Sequence, residues 1–294
     1  MAKRIAQAAQ MACLLEVSAP KPGNVNRLHD FSDLRFEDLL LSAIAIGPAM
    51  ENAFKNSVGQ IIFRAIQDTH LLVPTNTNLG IVLLLSPLVK ACSFGPGLYR
   101  SVKTDSDNLA GTRENLTATL AGMTVEDARL AYAAIRMVHP GGLGKVPQSD
   151  ISEKPAITLL KAMLLAQEND SIASEYVSRF AITFEIGFPA LKEALQAGND
   201  LSSAIVQTYL VILSRVPDTL VARKLGKEKS IQVSHWAEEV LEKGGTQTPE
   251  GCKAIVELDR ELRDEHHTLN PGTTADLTAA SIFLYLYSQL IRKS

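Results

Sequence analysis

The sequence predicts an all-α protein: a single domain spanning residues 1–294, with about ten helices and polar loops at the helix ends that form a cleft. Three observations predict it. Ala and Leu are plentiful while aromatic residues make up only 5% of the chain, a composition that favours helix over sheet. Apolar residues recur at helical spacing in segment after segment, and no convincing stretch alternates apolar with polar. Loops rich in Gly, Pro, Asn and Thr separate these segments. With 46% of its residues apolar, the chain is long enough to fill one sizeable core.

Ala2 to Val17 reads as the first helix, with Ile5, Ala8, Ala9, Ala12 and Leu15 at helical spacing and a stop at Ser18-Ala19-Pro20. Arg35 to Phe54 reads as a long helix in which Pro48 kinks the chain or starts a new helix. Val58 to Leu72 follows, with Asp68 and His70 near its end. Leu79 to Val89 has no polar face until Lys90, so as a helix it is buried on all sides. Ser93 to Gly111 reads as a loop, Thr112 to Ala121 and Thr124 to Val138 as helices, the second with Thr124 and Asp127 as an N-terminal pair. Pro155 to Gln167, Ser171 to Phe184 and Ala190 to Ala197 continue the pattern, and Asp200 caps Leu201 to Arg215. Ile231 to Lys243 precedes a helix that starts at Thr248-Pro249 and runs to about His266. Leu277 to Ile291 closes the chain, with Thr273 and Asp276 at the spacing of a capping pair.

Composition excludes several functions. The net charge of −3 comes with no basic stripe, which argues against nucleic acid as a partner. Cys13, Cys92 and Cys252 are scattered, which points to a reducing cytoplasm and away from a disulfide framework or a cysteine zinc site. The N-terminal segment reads as amphipathic helix rather than a signal peptide. The Leu79–Val89 run is too short to span a bilayer, so no membrane association is expected.

Chemistry-bearing residues concentrate in the loops. Pro20 to Asp30 carries Lys21, Gly23, Asn24, Asn26, Arg27, His29 and Asp30 in one shaped segment. Pro74 to Gly80 places Asn76, Thr77 and Asn78 just before the buried helix, where free backbone N–H groups favour anions. His139 to Val146 has three glycines and Lys145, but neither the Walker spacing nor a preceding strand. Asp218 to Arg223, and Asn270 to Asp276 with Gly272, Thr273 and Thr274, complete the set. Adjacent histidines point apart on a helix, so His266-His267 does not read as a metal site.

Lys21-Pro22-Gly23-Asn24-Val25-Asn26, His29, Asn76-Thr77-Asn78-Leu79-Gly80, Asp218-Thr219 with Arg223, and Pro271-Gly272-Thr273-Thr274-Ala275-Asp276-Leu277 occur in an order that resembles the triphosphoribosyl-dephospho-CoA synthase family. The resemblance spans nearly the whole chain and rests on the order and rough spacing of these motifs. It implies an all-helical fold and a reaction in which ATP gives up adenine while its triphosphoribosyl group passes to a ribose hydroxyl of dephospho-CoA. The chain departs from the pattern at four positions. The family commonly has His-Lys where Asn78-Leu79 stands, an acidic residue in place of Asn26, and Asn in place of Leu220.

Displacement of a base from ribose passes through an oxocarbenium-like centre. It calls for a carboxylate to accept a proton, groups for the leaving base, and cations on the triphosphate. Asp68, Asp218, Asp276 and His29 are the catalytic candidates. Lys21, Gly23, Asn24, Asn26, Arg27, Asn76, Thr77, Asn78, Gly80, Lys145, Arg223, Gly272, Thr273 and Thr274 are the candidates for holding substrate and phosphate. Mg²⁺ is the expected ion, with Asp30, Asp68 or Asp218 as its ligands, and ATP is a substrate rather than a cofactor. The expected partner is a small nucleotide, and a homodimer stays open. Two other readings stand beside this one. One is a divergent enzyme acting on another nucleotide or phosphoribosyl substrate in cofactor biosynthesis of the one-carbon, tetrahydromethanopterin type. The other is a helical binding protein without catalysis. The loops at Lys21–His29, Asn76–Gly80, Asp218–Arg223 and Asn270–Asp276 are expected to line a common cavity, because buried polar groups must be paired or solvated.

Overall fold

A computed structural model describes residues 1–95, 105–138 and 155–292. Helices α1 (Ala2–Ser18), α2 (Phe36–Ala45), α3 (Gly47–Glu51), α4 (Val58–Leu72) and α5 (Leu79–Cys92) form the first part of the chain. Helices α6 (Asp105–Ala121), α7 (Val125–Val138), α8 (Leu159–Ala166), α9 (Ser171–Ser178) and α10 (Phe188–Gln196) follow. The last part holds α11 (Leu201–Arg215), α12 (Thr219–Leu225), α13 (Lys227–Glu242), α14 (Pro249–Leu262) and α15 (Gly272–Arg292). No strand occurs among the described residues, only an isolated bridge between Asn26 and His29. The all-α expectation holds. The helices outnumber the expected ten because long segments are divided, as at Pro48, which stands in the first turn of α3 rather than kinking a single helix.

Helices α5 and α15 form the axis around which the others pack. In α5 every residue except Gly80 and Lys90 is buried, as its unbroken apolar run requires. Pro87 sits inside this helix and cannot donate the hydrogen bond that Leu83 O would otherwise accept. The Tyr176 hydroxyl of α9 donates to Leu83 O at 2.6 Å and takes the place of the missing amide. Helix α15 packs against α1, α5, α10 and α11, and Leu277, Ile282, Phe283 and Tyr287 contribute to a continuous core.

Several boundaries differ from expectation: α8 starts at Leu159 rather than Pro155, α13 at Lys227 rather than Ile231 and α15 at Gly272 rather than Leu277, and three further segments differ in extent. Helix α6 begins at Asp105, inside the stretch that reads as loop. The Ser171–Phe184 segment breaks where Arg179 and Phe180 adopt left-handed backbone angles (φ 58° and 61°), and a π-helical turn, Ile182–Gly187, follows. The fully buried Glu175 carboxylate holds this turn, accepting from Ile182 N at 2.7 Å, Thr183 N at 3.0 Å and Thr183 Oγ1 at 2.5 Å. Helix α14 stops at Leu262 rather than near His266, and the Asp264 carboxylate then gathers the N–H groups of His266, Thr268 and Leu269 into a turn. No single helix among the described residues is long and apolar enough to cross a membrane.

Candidate functional site

One large cleft, about 1090 Å³ in volume, opens where α5 and α15 begin. All four segments expected to share a cavity line it, through Asn24, Asn76, Thr77, Asn78, Gly80, Arg223, Gly272, Thr273 and Asp276 among others. The sequence brings each of these to the cleft by a local device. Gly23 has φ +73°, and a β-carbon there would stand 2.7 Å from Leu262 Cβ, so only glycine lets the loop lie flat on α14. Asp259 and Arg263 of α14 fix that loop through Gly23 N (2.8 Å) and Asn24 O (2.8 Å). The Asn24 amide donates to the Tyr209 hydroxyl at 3.0 Å, and Asn270 donates to Gly23 O at 3.1 Å. Asn76 caps α5 by accepting from Leu79 N at 3.3 Å. Asn78 is turned inward, donating to Ser42 O and Thr69 Oγ1, both at 3.3 Å.

Asp276 stands apart from the other carboxylates of the cleft. It lies in the second turn of α15, partly accessible from the cleft, and its oxygens accept no hydrogen bond from the described residues. The spacing that suggests a capping pair with Thr273 is not used that way, because α15 already starts at Gly272 and both residues are inside it. Burial, then the charges of Glu16, Asp218 and Asp170, push the Asp276 carboxyl well above the ordinary aspartate range, while Arg223 opposes them. The N–H groups of Gly80, Ile81 and Thr273, in the first turns of α5 and α15, have no acceptor among the described residues. They form two positive helix ends at one cleft.

Several candidates lie elsewhere. Asp218 is buried outside the cleft lining and accepts four hydrogen bonds, from Leu220 N, Val221 N, Thr274 N and Thr274 Oγ1 at 2.7–3.1 Å. It joins the starts of α12 and α15, which leaves neither oxygen free for a metal ion or a proton from substrate. Thr274 is its partner in this tie rather than a cleft residue. Lys21 is completely buried, paired with Glu16 Oε1 at 2.9 Å and donating to the carbonyls of Glu16 and Ala19, so it faces the end of α1 and not the cleft. Asp68 pairs with Arg64 on the surface of α4. Asp30 caps Phe36 N at 2.7 Å. His29 is exposed, 4.0 Å from Asp259, and Arg27 is exposed nearby. Asn26 is buried and bonded to its own loop. Lys145 and His139 lie outside the described residues.

The cleft also holds residues that sequence reasoning passed over. Glu16 reads as an ordinary residue of the first helix, and only the fold turns its carboxylate inward. Asp170 caps α9 through Ile172 N (2.8 Å) and pairs with Arg223 Nη1 at 2.8 Å. A cap before Ser171 is the signal that could have marked it. Asp33, Lys224, His70, Asn270 and His267 complete the polar lining, with His267 stacked on Phe31 at 3.7 Å. No group of three His, Cys, Asp or Glu among the described residues is arranged to hold a metal ion.

Fold and site together define an all-α protein organised around a large cleft at the starts of two buried helices, lined by polar loop residues and apolar helix faces. The family model described as ATP:dephospho-CoA triphosphoribosyl transferase (CitG) matches residues 2–294, and the chain belongs to that transferase family. It is 27% identical over 97% of its length to a Pseudomonas fluorescens protein named "Probable 2-(5''-triphosphoribosyl)-3'-dephosphocoenzyme-A synthase", of which it covers 91%. A Malonomonas rubra protein of the same name is 28% identical, with 95% of this chain and 86% of that protein aligned. A crystal structure from Archaeoglobus fulgidus, provisionally named triphosphoribosyl-dephospho-CoA synthase, superposes with a TM-score of 0.63 and 31% identity. The match covers 85% of this chain and 98% of that one.

Proposed function

We propose that the chain transfers the triphosphoribosyl group of ATP to a hydroxyl acceptor such as dephospho-CoA, with release of adenine. The observation that carries this reading is Asp276, a carboxylate without hydrogen-bond donors, set in the same cleft as two helix N-termini that keep N–H groups without acceptors. Family membership names the donor and acceptor. In the reaction, the acceptor hydroxyl oxygen bonds to C1′ of the donor ribose as the bond from C1′ to the adenine nitrogen breaks. The electron pair of that bond leaves with adenine. Asp276 takes the proton of the attacking hydroxyl, and its raised proton affinity suits it to that task. The carboxylates around it favour the positive charge that develops on the sugar.

Arg223, Lys224 and the first-turn N–H groups of α5 and α15 are placed for phosphate oxygens. Glu16, Asp33, Asp170 and Asp276 place four carboxyl groups in the same lining, which favours a triphosphate that carries its own cation. Mg²⁺ would supply that cation, held mainly by the phosphates, and the exposed carboxylate of Asp33 in the cleft lining could serve as a protein ligand. When bound, the ion neutralises triphosphate charge. Asp30, Asp68 and Asp218, the ligands expected from sequence, are engaged elsewhere.

A second reading follows from Asn78, Leu79 and Leu220, three of the positions at which the chain departs from the family pattern. All three line the cleft. Leu79 and Leu220 supply no charge or hydrogen bond where the pattern has Lys and Asn, so the chain acts on another phosphorylated donor or acceptor with the same ribose-directed chemistry. One experiment decides between them. Adenine release is followed chromatographically with ATP, dephospho-CoA and Mg²⁺, beside a thermal-shift screen of nucleotides and phosphoribosyl compounds. Dephospho-CoA-dependent release supports the first reading. Stabilisation by phosphorylated ligands without release supports the second.

A further inference from the structure

The cleft contains two carboxylates whose surroundings differ in kind. Glu16, in the last turns of α1, is almost fully buried and lines the cleft floor. Its partner is Lys21, which has no exposed surface at all. After α1 ends at Ser18, the chain turns back through Ala19 and Pro20, and Lys21 Nζ returns to the helix end. There it satisfies the carbonyls of Glu16 and Ala19 and pairs with Glu16 Oε1 at 2.9 Å. A cation this deeply buried is tolerated only with a counter-charge, and the Glu16 carboxylate beside it supplies one.

Asp276 has the opposite setting. It lies on α15, which packs along α1, and the Cα of Gly80 closes off its other side. No donor reaches its oxygens. The charged groups that face it are Glu16 from α1, Asp218 and Arg223 from α12 and its cap, and Asp170 from the cap of α9. Lys21 pairs with Glu16 and Arg223 with Asp170, and neither pairs with Asp276. Asp218 and Asp170 are themselves saturated by backbone N–H groups. Glu16 and Asp276 line the same cleft from the packed helices α1 and α15. Two neighbouring acids with environments this different divide their roles: one keeps its charge and the other takes the proton.

We propose that Glu16 is a positioning residue, a fixed negative charge locked in place by Lys21, and that it makes Asp276 the group in the cleft that accepts a proton. Glu16 touches neither substrate nor reacting atoms in this role. It acts through Asp276, and Lys21 acts through Glu16. The assignment deepens the transfer reading and rests on Asp276 being its base, but the division of charge between the two acids does not depend on any substrate.

The test uses the full chain and has two readouts. The first is the titration of the Asp276 carboxyl carbon by ¹³C NMR in the wild type and in Glu16→Gln, with Asp276→Asn to assign the signal. Glu16→Gln is expected to move the Asp276 midpoint to lower pH by about one unit or more, the size of effect one close charge exerts. A midpoint that stays in place would overturn the proposal. If Glu16→Gln fails to fold, the double variant Glu16→Gln/Lys21→Met removes both buried charges together, and its Asp276 midpoint must still fall, by less than in Glu16→Gln because a positive charge is lost as well. The second readout is the pH profile of transfer. In Glu16→Gln the acid limb of kcat/KM is expected to follow the NMR midpoint downward with KM little changed, whereas an unmoved limb beside an altered KM would overturn it. Full activity in Asp276→Asn with a normal NMR shift in Glu16→Gln would instead refute the base assignment and leave the charge division standing.

Discussion

The carboxylate of Asp276 rests on the Cα of Gly80: a β-carbon on residue 80 would stand 1.9 Å from Asp276 Oδ2. The contact joins the first turn of α5 to the second turn of α15, the two buried helices whose N-termini open the cleft. Glycine at residue 80 is therefore required for the position of a side chain 196 residues away in sequence.

Gly80→Ala tests this contact. Alanine suits a helix better than glycine by roughly 0.5–1 kcal/mol, so the backbone accepts it. The new methyl group has to displace the Asp276 carboxylate or Ile172 Cδ1, which stands 2.9 Å from the same point. The variant is expected to fold, with Tm within a few degrees of the wild type, and to lose transfer activity by about tenfold or more. Steady-state kinetics beside a thermal melt checks both halves.

Asp218 is expected to behave in the opposite way. Its four hydrogen bonds tie α12 to α15, and replacing it leaves buried N–H groups without acceptors. Asp218→Ala is expected to cost about 3 kcal/mol or more in urea unfolding. Any loss of activity follows from loss of fold. A variant as stable as the wild type but inactive would return Asp218 to the chemistry.

These two aspartates show how much of the site was legible in the sequence. The loops that meet at the cleft could be picked out from their Gly, Pro, Asn and Thr content, and all four segments expected to share a cavity line it. What the sequence did not separate was capping from chemistry. Asp218 before Thr219 reads equally well as a helix cap or a base, and the fold makes it a cap. Thr273 and Asp276 have capping spacing, yet α15 starts one residue before Thr273 and leaves Asp276 free. Lys21 looks like a phosphate ligand, but its long side chain folds back onto α1, a choice set by tertiary contacts. Glu16 and Asp170 carry no local signal beyond helix and cap. The helices were legible because Val58–Leu72 and Leu201–Arg215 show clean periodicity between capping residues. The breaks at Arg179 and Phe180 were not, since they depend on the buried Glu175.

The Tyr176–Pro87 relationship predicts a double-mutant cycle. Tyr176→Phe leaves Leu83 O without a donor in the core and is expected to cost about 1–3 kcal/mol. In a Pro87→Ala background the amide of residue 87 becomes available to Leu83 O. The same Tyr176→Phe change is then expected to cost less, by about 1 kcal/mol. Equal costs in both backgrounds would show that the hydroxyl does not replace the missing amide.

Glu175 predicts a pH dependence of stability. Burial raises its carboxyl from the ordinary 4.5 to about 7, against the hydrogen bonds from Thr183 and Ile182. The folded state therefore keeps a proton that the unfolded chain releases in this window. Stability from this group is complete below the unfolded value and is lost as pH rises through about 7. Wild-type Tm is expected to fall between these limits by a component that Glu175→Gln lacks, measured by calorimetry across the range. The same slope in both proteins would contradict it.

The most direct test of the account is Asp276→Asn assayed for dephospho-CoA-dependent adenine release from ATP with Mg²⁺, beside the thermal shift produced by the nucleotide. Asparagine keeps the shape of the side chain and removes its capacity to take a proton. The account predicts that the nucleotide still stabilises the variant while adenine release falls by about 10²–10⁴-fold, the usual contribution of general acid–base catalysis. Adenine release within a few-fold of the wild-type rate would contradict the central claim that Asp276 is the base of this cleft.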